Sequence, residues 1–232
     1  MGDSKIDLRF LGMGAAFNPA LKNTNAFFTV DNDLYLLDCG ETAFAQLRDL
    51  PALVSADKIT AVITHMHSDH VGSLATLIAY CRFVLGKTVT VLFPHEDITK
   101  LLALMAIEKP LYSWLSASSA GDKVLFEPIE VEHVNNLRCY GYLITAGEER
   151  IYYSGDAKHI PQKVIDLFFE GGVSRIYQDA ALEEKNHTTH GSFAEMEKLF
   201  PPKERSRVYC MHLDTDFRPL IKEKGFSIPP LL

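Results

Sequence analysis

Thr64-His65-Met66-His67-Ser68-Asp69-His70 places three histidines and an aspartate within six residues. The run before it, Ile59-Thr60-Ala61-Val62-Ile63, is apolar and β-branched and reads as a buried strand. Val71-Gly72-Ser73-Leu74 opens a helical pattern behind it. The cluster therefore occupies a strand-to-helix loop, where a rigid scaffold presents functional groups. His65 and His67 are two apart and point the same way on an extended segment. Asp69 and His70 follow the turn of the chain and can face a second point. Imidazole and carboxylate together suit zinc, manganese or iron. Four ligand-type side chains this dense exceed what one metal with three protein ligands takes, which points to two adjacent metals. A merely solvated loop fits poorly, because clustered imidazoles need partners.

His-x-His-x-Asp-His after an apolar strand resembles the signature of the metallo-β-lactamase superfamily. The resemblance implies an α/β fold, a four-layer αββα sandwich of two facing mixed β-sheets flanked by helices. No linker interrupts the chain, so residues 1–232 are expected to form one domain of this fold.

Composition sets outer bounds. With 232 residues, 47% hydrophobic and 23% charged, the chain matches an ordinary globular protein. No apolar run approaches a membrane span. Met1 to Lys5 is polar and runs into a strand, so no secretory signal is expected. Cys39, Cys81, Cys139 and Cys210 lack CxxC spacing and read as reduced thiols of a cytoplasmic protein, in a host cytoplasm if the source is a phage. A net charge of −7 disfavours a nucleic-acid polymer. A small anion stays admissible, because two metal ions add up to about four positive charges locally.

Outward from the histidine loop, strands are expected at Ile6–Leu11, Ala26–Val30, Leu34–Leu37, Thr88–Phe93, Lys123–Phe126, Ile129–His133, Arg138–Thr145, Arg150–Tyr153, Arg175–Gln178 and Arg207–Met211. Helices are expected at Thr42–Leu50, Gly72–Leu85, His95–Ile107, Pro161–Phe169 and Ser192–Phe200, the last with a capping box through Glu195. Gly12-Met13-Gly14 reads as a tight turn that brings backbone near the site. Asp38-Cys39-Gly40 reads as a turn that supports the metal loop from behind, with Asp38 structural. Residues 108–121 read as a long loop carrying the only tryptophan, a lid or partner contact in which Tyr112 and Trp114 stack on a base or a second subunit. The tail from Asp214 reads as loosely packed. Two similar halves result, each a strand meander followed by alternating strand and helix.

His133, Asp156 and His212 each close an apolar strand, at the sheet edge where the His65 loop also lies. The resemblance assigns His65, His67 and His133 to one metal, Asp69, His70 and His212 to a second, and Asp156 to a bridge between them. It implies two divalent ions, zinc or alternatively manganese. Two metals about 3.5–4 Å apart can share a hydroxide nucleophile and clamp a phosphoryl displacement, with Asp69 orienting the hydroxide.

Asp179-Ala180 and His190-Gly191-Ser192 resemble landmarks of the RNase Z-like phosphodiesterase branch. That resemblance implies His190 as phosphate contact or leaving-group acid and Asp179 as its orienting partner, with His187 an alternative to His190. Asp179 replaces the more usual Glu. No tRNA-binding arm is visible, so a small phosphodiester fits better. The Gly-Met-Gly-Ala-Ala-Phe-Asn-Pro start and the 108–121 segment resemble the anti-Pycsar cyclic-nucleotide phosphodiesterases of phages and bacteria. This implies a homodimeric hydrolase of 3′,5′-cyclic mononucleotides that counters cyclic-nucleotide antiphage signalling. The alternatives are a phosphodiesterase for a 2′,3′-cyclic phosphate or an RNA 3′ end, an acyl hydrolase such as a lactonase, and a non-catalytic metal-binding scaffold.

Overall fold

In the computed structural model, which describes residues 5–116, 123–186 and 188–232, the strand patterns assemble into two mixed sheets. The first runs β1 (Arg9–Gly12), β2 (Asn25–Val30), β3 (Asp33–Leu37), β4 (Lys58–Val62), β5 (Val89–Leu92) and β6 (Tyr112–Leu115), in that spatial order. Its first three strands form an antiparallel meander, and β3 to β6 are parallel. The second sheet contains β7 (Val124–Glu130), β8 (Tyr140–Ala146), β9 (Glu149–Tyr153), β10 (Arg175–Asp179) and β11 (Val208–Met211), in spatial order β11-β10-β9-β8-β7. Here β7 to β9 are antiparallel and β9 to β11 parallel. The two halves repeat one plan, as the sequence pattern implied.

Helices cover the outer faces: α1 (Ala43–Leu47), α2 (Pro51–Ser55), α3 (Ser68–Val71), α4 (Leu74–Phe83) and α5 (Asp97–Leu104) in the first half, α6 (Gln162–Phe169), α7 (Phe193–Leu199) and α8 (Arg218–Glu223) in the second. Alternation of side chains along each strand divides the buried residues into three layers. Leu36, Ala61 and Val91 face Leu47, Leu77, Ile78 and Leu102 of the first helices. Phe10, Phe28, Tyr35 and Val62 meet Phe126, Tyr142, Tyr153 and Tyr177 between the sheets. Tyr152, Ile176 and Cys210 face Val164, Phe168, Phe193 and Ile221. This is the expected αββα sandwich. Each fully buried ring contributes roughly 1.5–3 kcal/mol.

Four expectations need correction. Pro128 does not split a strand: β7 runs through it, because β7 lies at the sheet edge, where a missing N–H costs no ladder bond. His133 consequently lies past the strand rather than at its end. The helix expected at Thr42–Leu50 ends at Leu47, and Pro51 opens a second helix, α2, where proline is tolerated in the first turn. Residues 112–115 are strand β6, not loop, and pair with β5; residues 117–122 lie outside the described residues. The tail is not loose: Ile221, Phe217 and Phe226 are buried, Ser227 N–H donates to the Val208 carbonyl, and Leu232 N–H donates to that of Phe10.

The four cysteines are buried and unpaired. Among the described residues, no helix is long and apolar enough to cross a membrane.

Candidate metal centre and pocket

Parallel strands end at one edge of each sheet, and the polar residues that follow them converge there. The loop after β4 carries His65 and His67, and the short α3 that follows carries Asp69 and His70. In the second sheet, Asp156 follows β9, Asp179 ends β10 and His212 follows β11. The sheets are tied together beside the histidine loop by Tyr142 Oη, which donates to the Ile63 carbonyl at 2.8 Å, and by Tyr140 N–H, which donates to the Thr64 carbonyl at 3.0 Å.

Three ligand-type groups result among the described residues, and Asp156 belongs to all of them. His65, His67, His133 and Asp156 form the first, Asp69, His70, Asp156 and His212 the second, and Asp156, Asp179, His190 and His212 a third; within each group the ligand atoms lie within 4.8 Å of one another. In the first, His67 Nδ1 is 3.0 Å from His65 Nε2 and 3.3 Å from His133 Nε2. In the second, Asp69 Oδ2 is 3.2 Å from both His70 Nε2 and His212 Nε2. Ligands on a tetrahedron of 2.0–2.1 Å bonds stand about 3.3 Å apart, so both spacings fit a metal ion.

Asp156 presents one oxygen to each of the first two groups. Its Oδ1 is 3.2 Å from His70 Nε2 and 3.3 Å from His212 Nε2. Its Oδ2 is 3.8 Å from His65 Nε2 and 3.7 Å from His133 Nε2. His70 Nε2 and Asp156 Oδ1 are buried without a hydrogen-bond partner. An orphaned imidazole nitrogen facing an orphaned carboxylate oxygen is costly unless a cation completes both.

The distal ring nitrogens are fixed from behind. His133 Nδ1 donates to the Thr189 carbonyl at 2.8 Å, which leaves Nε2 as the lone pair facing the group. His70 Nδ1 meets Asp38 Oδ2 at 2.8 Å, and Asp38 also accepts from Thr64 N–H and its hydroxyl. Asp38 is thus an orienting carboxylate outside all three groups, in a left-handed conformation at φ 65°. Cys39 N–H donates to the His70 carbonyl at 2.7 Å, and Gly40 N–H donates to Asn25 Oδ1 at 2.6 Å. The Asp38-Cys39-Gly40 turn therefore backs the metal loop, as expected.

In the metal-free chain, burial depresses the His65 and His67 imidazoles, reinforced by neighbouring histidines. Burial also opposes charge on His70 and His212, but the surrounding carboxylates, Asp156 above all, outweigh it. His70 rises well above the usual histidine range, and His212 to about 10. The same histidines hold Asp69 and Asp156 far below the carboxylate range despite burial.

His190 stands beside the first two groups, and its Nδ1 meets Asp179 Oδ2 at 2.8 Å. Asp179 is fully buried, and its Oδ1 lies 3.5 Å from His212 Nδ1. Burial works against protonation of His190, but the Asp179 charge and hydrogen bond prevail and raise its pKa. His187 lies outside the described residues. Tyr112 and Trp114 are not brought to the site of their own chain. Tyr112 is a buried core side chain of β6, and the Trp114 indole donates to the Phe93 carbonyl at 3.0 Å. Their alternation with Ser113 serves a short edge strand rather than a lid.

The centre opens into a pocket of about 580 Å³, whose lining includes Ala15, Ala16 and Phe17 and also Glu183, Lys185, Asn186 and Asp214. The last four and Phe17 are additions to the sequence reading. Asp214 accepts from Leu182 N–H, Glu183 N–H and the Asn186 amide at 2.8–3.0 Å. Its position two residues past His212 was the available signal. Ala15 N–H and the Asn18 amide both donate to the Leu213 carbonyl at 3.0 Å. The turn expected at Gly12-Met13-Gly14 is instead extended backbone, with Gly12 ending β1 and Gly14 bridging to Asn23 and Leu213; the chain turns at Ala15–Asn18, and that turn brings backbone to the site.

Fold and site together define a metallo-hydrolase of the metallo-β-lactamase fold. The chain belongs to the anti-Pycsar protein Apyc1 family, whose sequence model matches residues 6–111 and 104–228. It is 27% identical over 255 residues to the anti-Pycsar protein Apyc1 of Bacillus phage vB_BsuM-Goe3, covering 94% of this chain and 93% of that one. Among solved structures it is similar to the metallo-β-lactamase fold protein YhfI from Bacillus subtilis, with a TM-score of 0.76 at 14% identity over 98% of this chain and 96% of that one. It is also similar to a diphosphatase from the PhnP family, with a TM-score of 0.70 at 20% identity over 96% and 93%.

Proposed function

We propose that this chain hydrolyses 3′,5′-cyclic mononucleotides to nucleoside monophosphates with two divalent ions, zinc or manganese, and so counters cyclic-nucleotide antiphage signalling. The observation that carries the reading is the carboxylate Asp156, common to the His65 and the Asp69 ligand groups and lining a pocket sized for a small molecule. Family membership supports the cyclic-nucleotide assignment.

His65, His67 and His133 would hold one ion, Asp69, His70 and His212 the other, and Asp156 would touch both. Two such ions supply Lewis acidity toward the phosphate oxygens and a water nucleophile at neutral pH. The chain's own residues do the rest. Asp38 and Thr189 fix the orientations of His70 and His133, which sets ligand basicity. Asp69 Oδ2 points into the second group beside the shared Asp156 and can orient the attacking water there. His190, whose pKa the Asp179 charge and hydrogen bond raise against burial, donates from Nε2 to the leaving ribose oxygen, and the buried Asp179 charge stabilises the protonated donor until transfer. The lip bearing Glu183, Lys185 and Asn186 and the wall bearing Phe17 enclose the nucleoside.

Large apolar side chains left exposed at the ends of α4 and α5, Phe83, Val84, Leu104 and Met105, support pairing with a second copy of this chain. The reaction is assigned to the cytoplasm, the host's if the source is a phage, where its substrates would be made.

The test is turnover read by chromatography. Protein loaded with zinc or manganese is given the four common 3′,5′-cyclic mononucleotides, a 2′,3′-cyclic nucleotide and a lactone. Conversion of the first group to mononucleotides, abolished in His67→Ala, is the expected outcome. Cleavage of the lactone or the 2′,3′-cyclic ester alone overturns the substrate assignment.

A further inference from the structure

Phe17 is 98% exposed, the most exposed large apolar side chain among the described residues. A free ring of this size loses hydrophobic stabilisation, and a tip loop has little reason to carry it unless something covers it. Its position makes it more than a stray surface residue, because it lines the pocket in front of the ligand groups. Its backbone is also held firmly. Ala15 N–H and the Asn18 amide fasten the loop to the Leu213 carbonyl, Asn18 N–H closes the turn onto the Ala15 carbonyl, and Gly14 N–H donates to the Lys22 carbonyl. An aromatic ring is thus mounted on a fixed turn and left without packing.

A second part of the pocket lining hangs from the same segment. Asp214, the next residue after Leu213, holds Leu182, Glu183 and Asn186. His212, just before Leu213, points its Nε2 at Asp69 and Asp156. Three consecutive residues therefore tie the ligand groups to both parts of the lining.

Resting on the substrate reading above, we propose that Phe17 is the platform on which the substrate's nucleobase stacks, and that this makes recognition tolerant of base identity. The phosphodiester at the ligand groups leaves the base at the pocket mouth, beside the Phe17 ring. A flat apolar ring accepts any base through its π-face and reads none of its edge groups. The contact is the same in ground and transition states, so it acts on KM and not on the chemical step.

The test compares the metal-loaded wild type with Phe17→Ala and Phe17→Tyr. Substrates are the four cyclic mononucleotides and a base-free analogue, 1-deoxyribose 3′,5′-cyclic phosphate. Because the ring is exposed, both variants are expected to fold, which circular dichroism checks. Wild-type kcat/KM is expected to vary less than about tenfold across the bases. Phe17→Ala is expected to raise KM roughly 5- to 150-fold for each nucleotide, the span set by losing one stacked base. Its kcat and its kinetics on the base-free analogue should not change, and Phe17→Tyr should restore KM. An unchanged KM in Phe17→Ala, with the wild type still cleaving cyclic nucleotides, overturns the stacking role alone. An equal loss on the base-free analogue also overturns it, since the ring would then be shaping the loop. Failure of the wild type on every base-bearing substrate removes the substrate reading and the platform together.

Discussion

Gly40→Ala is a one-methyl perturbation aimed at the contact between the Asp38-Cys39-Gly40 turn and the metal loop. An alanine Cβ at this position would lie 1.7 Å from the Asp69 carbonyl oxygen, where Cβ atoms essentially never come closer than 3.0 Å. Restoring that limit displaces the Asp69 backbone by more than an ångström. The neighbours leave little room for the turn to yield instead. Gly40 N–H is fixed to Asn25 Oδ1, Cys39 N–H to the His70 carbonyl, and Ser73 N–H to the Cys39 carbonyl. The strain therefore falls on Asp69 and His70, both in the second ligand group, and not on His65, His67 or His133. A misplacement of about 1 Å costs on the order of 10²-fold in rate, and overpacking costs about 1–3 kcal/mol of stability. Metal content by mass spectrometry, kcat/KM and thermal melting are read on one preparation. The expected result is a folded protein with about one retained ion per chain and a rate down at least 10²-fold. Two retained ions and wild-type turnover would refute the idea that this turn sets the position of Asp69.

Asp38→Asn keeps the shape of a buried side chain but removes the charge on His70 Nδ1; metal affinity by competition with a chelator is expected to fall about 10–100-fold with the fold intact. Asp214→Ala leaves the donors of Leu182, Glu183 and Asn186 without their acceptor; a loss of about 2 kcal/mol, or roughly 4–8 °C in Tm, should accompany a raised KM. His190→Ala should lower kcat about 10²–10⁴-fold for a ribose leaving group and much less for p-nitrophenolate, which needs no proton. The raised His190 pKa favours the protonated donor, so the wild-type rate should fall as pH rises through that pKa, a limb the variant lacks.

The site was legible where chemistry is local or follows strand patterning. His65 to His70 is one short run behind an apolar strand. Asp156 and His212 were found because parallel strands deliver their following residues to one edge, and Asp179 through its likeness to the RNase Z-like landmark. His133 was found although its strand ends at Glu130, since Pro128 mimics a strand break that an edge position does not enforce. Tyr112 and Trp114 were misread because Pro110 and the serines around them hide a four-residue strand whose partner lies more than 20 residues earlier. The tail was misread for a similar reason: its contacts, such as Leu232 to Phe10, join the two ends of the chain and leave no local periodicity. Asp214 and Phe17 carry no pattern of their own and become visible only when both parts of the pocket lining are seen to hang from the residues after His212.

The most direct measurement on the central claim is a calorimetric zinc titration of metal-free protein, with phosphodiesterase activity sampled at each addition. His70 and His212 hold protons in the metal-free fold, His212 up to about pH 10. Ligation needs neutral imidazole, so loading should release protons and tighten as pH rises. The sign is the reverse for the fold itself: the raised His212 pKa stabilises the metal-free protein fully below about pH 6.5 and no longer once pH has passed about 10. The expected result is two ions bound per chain, with proton release, and activity that appears as the second ion binds. Saturation at one ion with full activity, or turnover that persists in the metal-free protein, would contradict a two-metal centre built around Asp156.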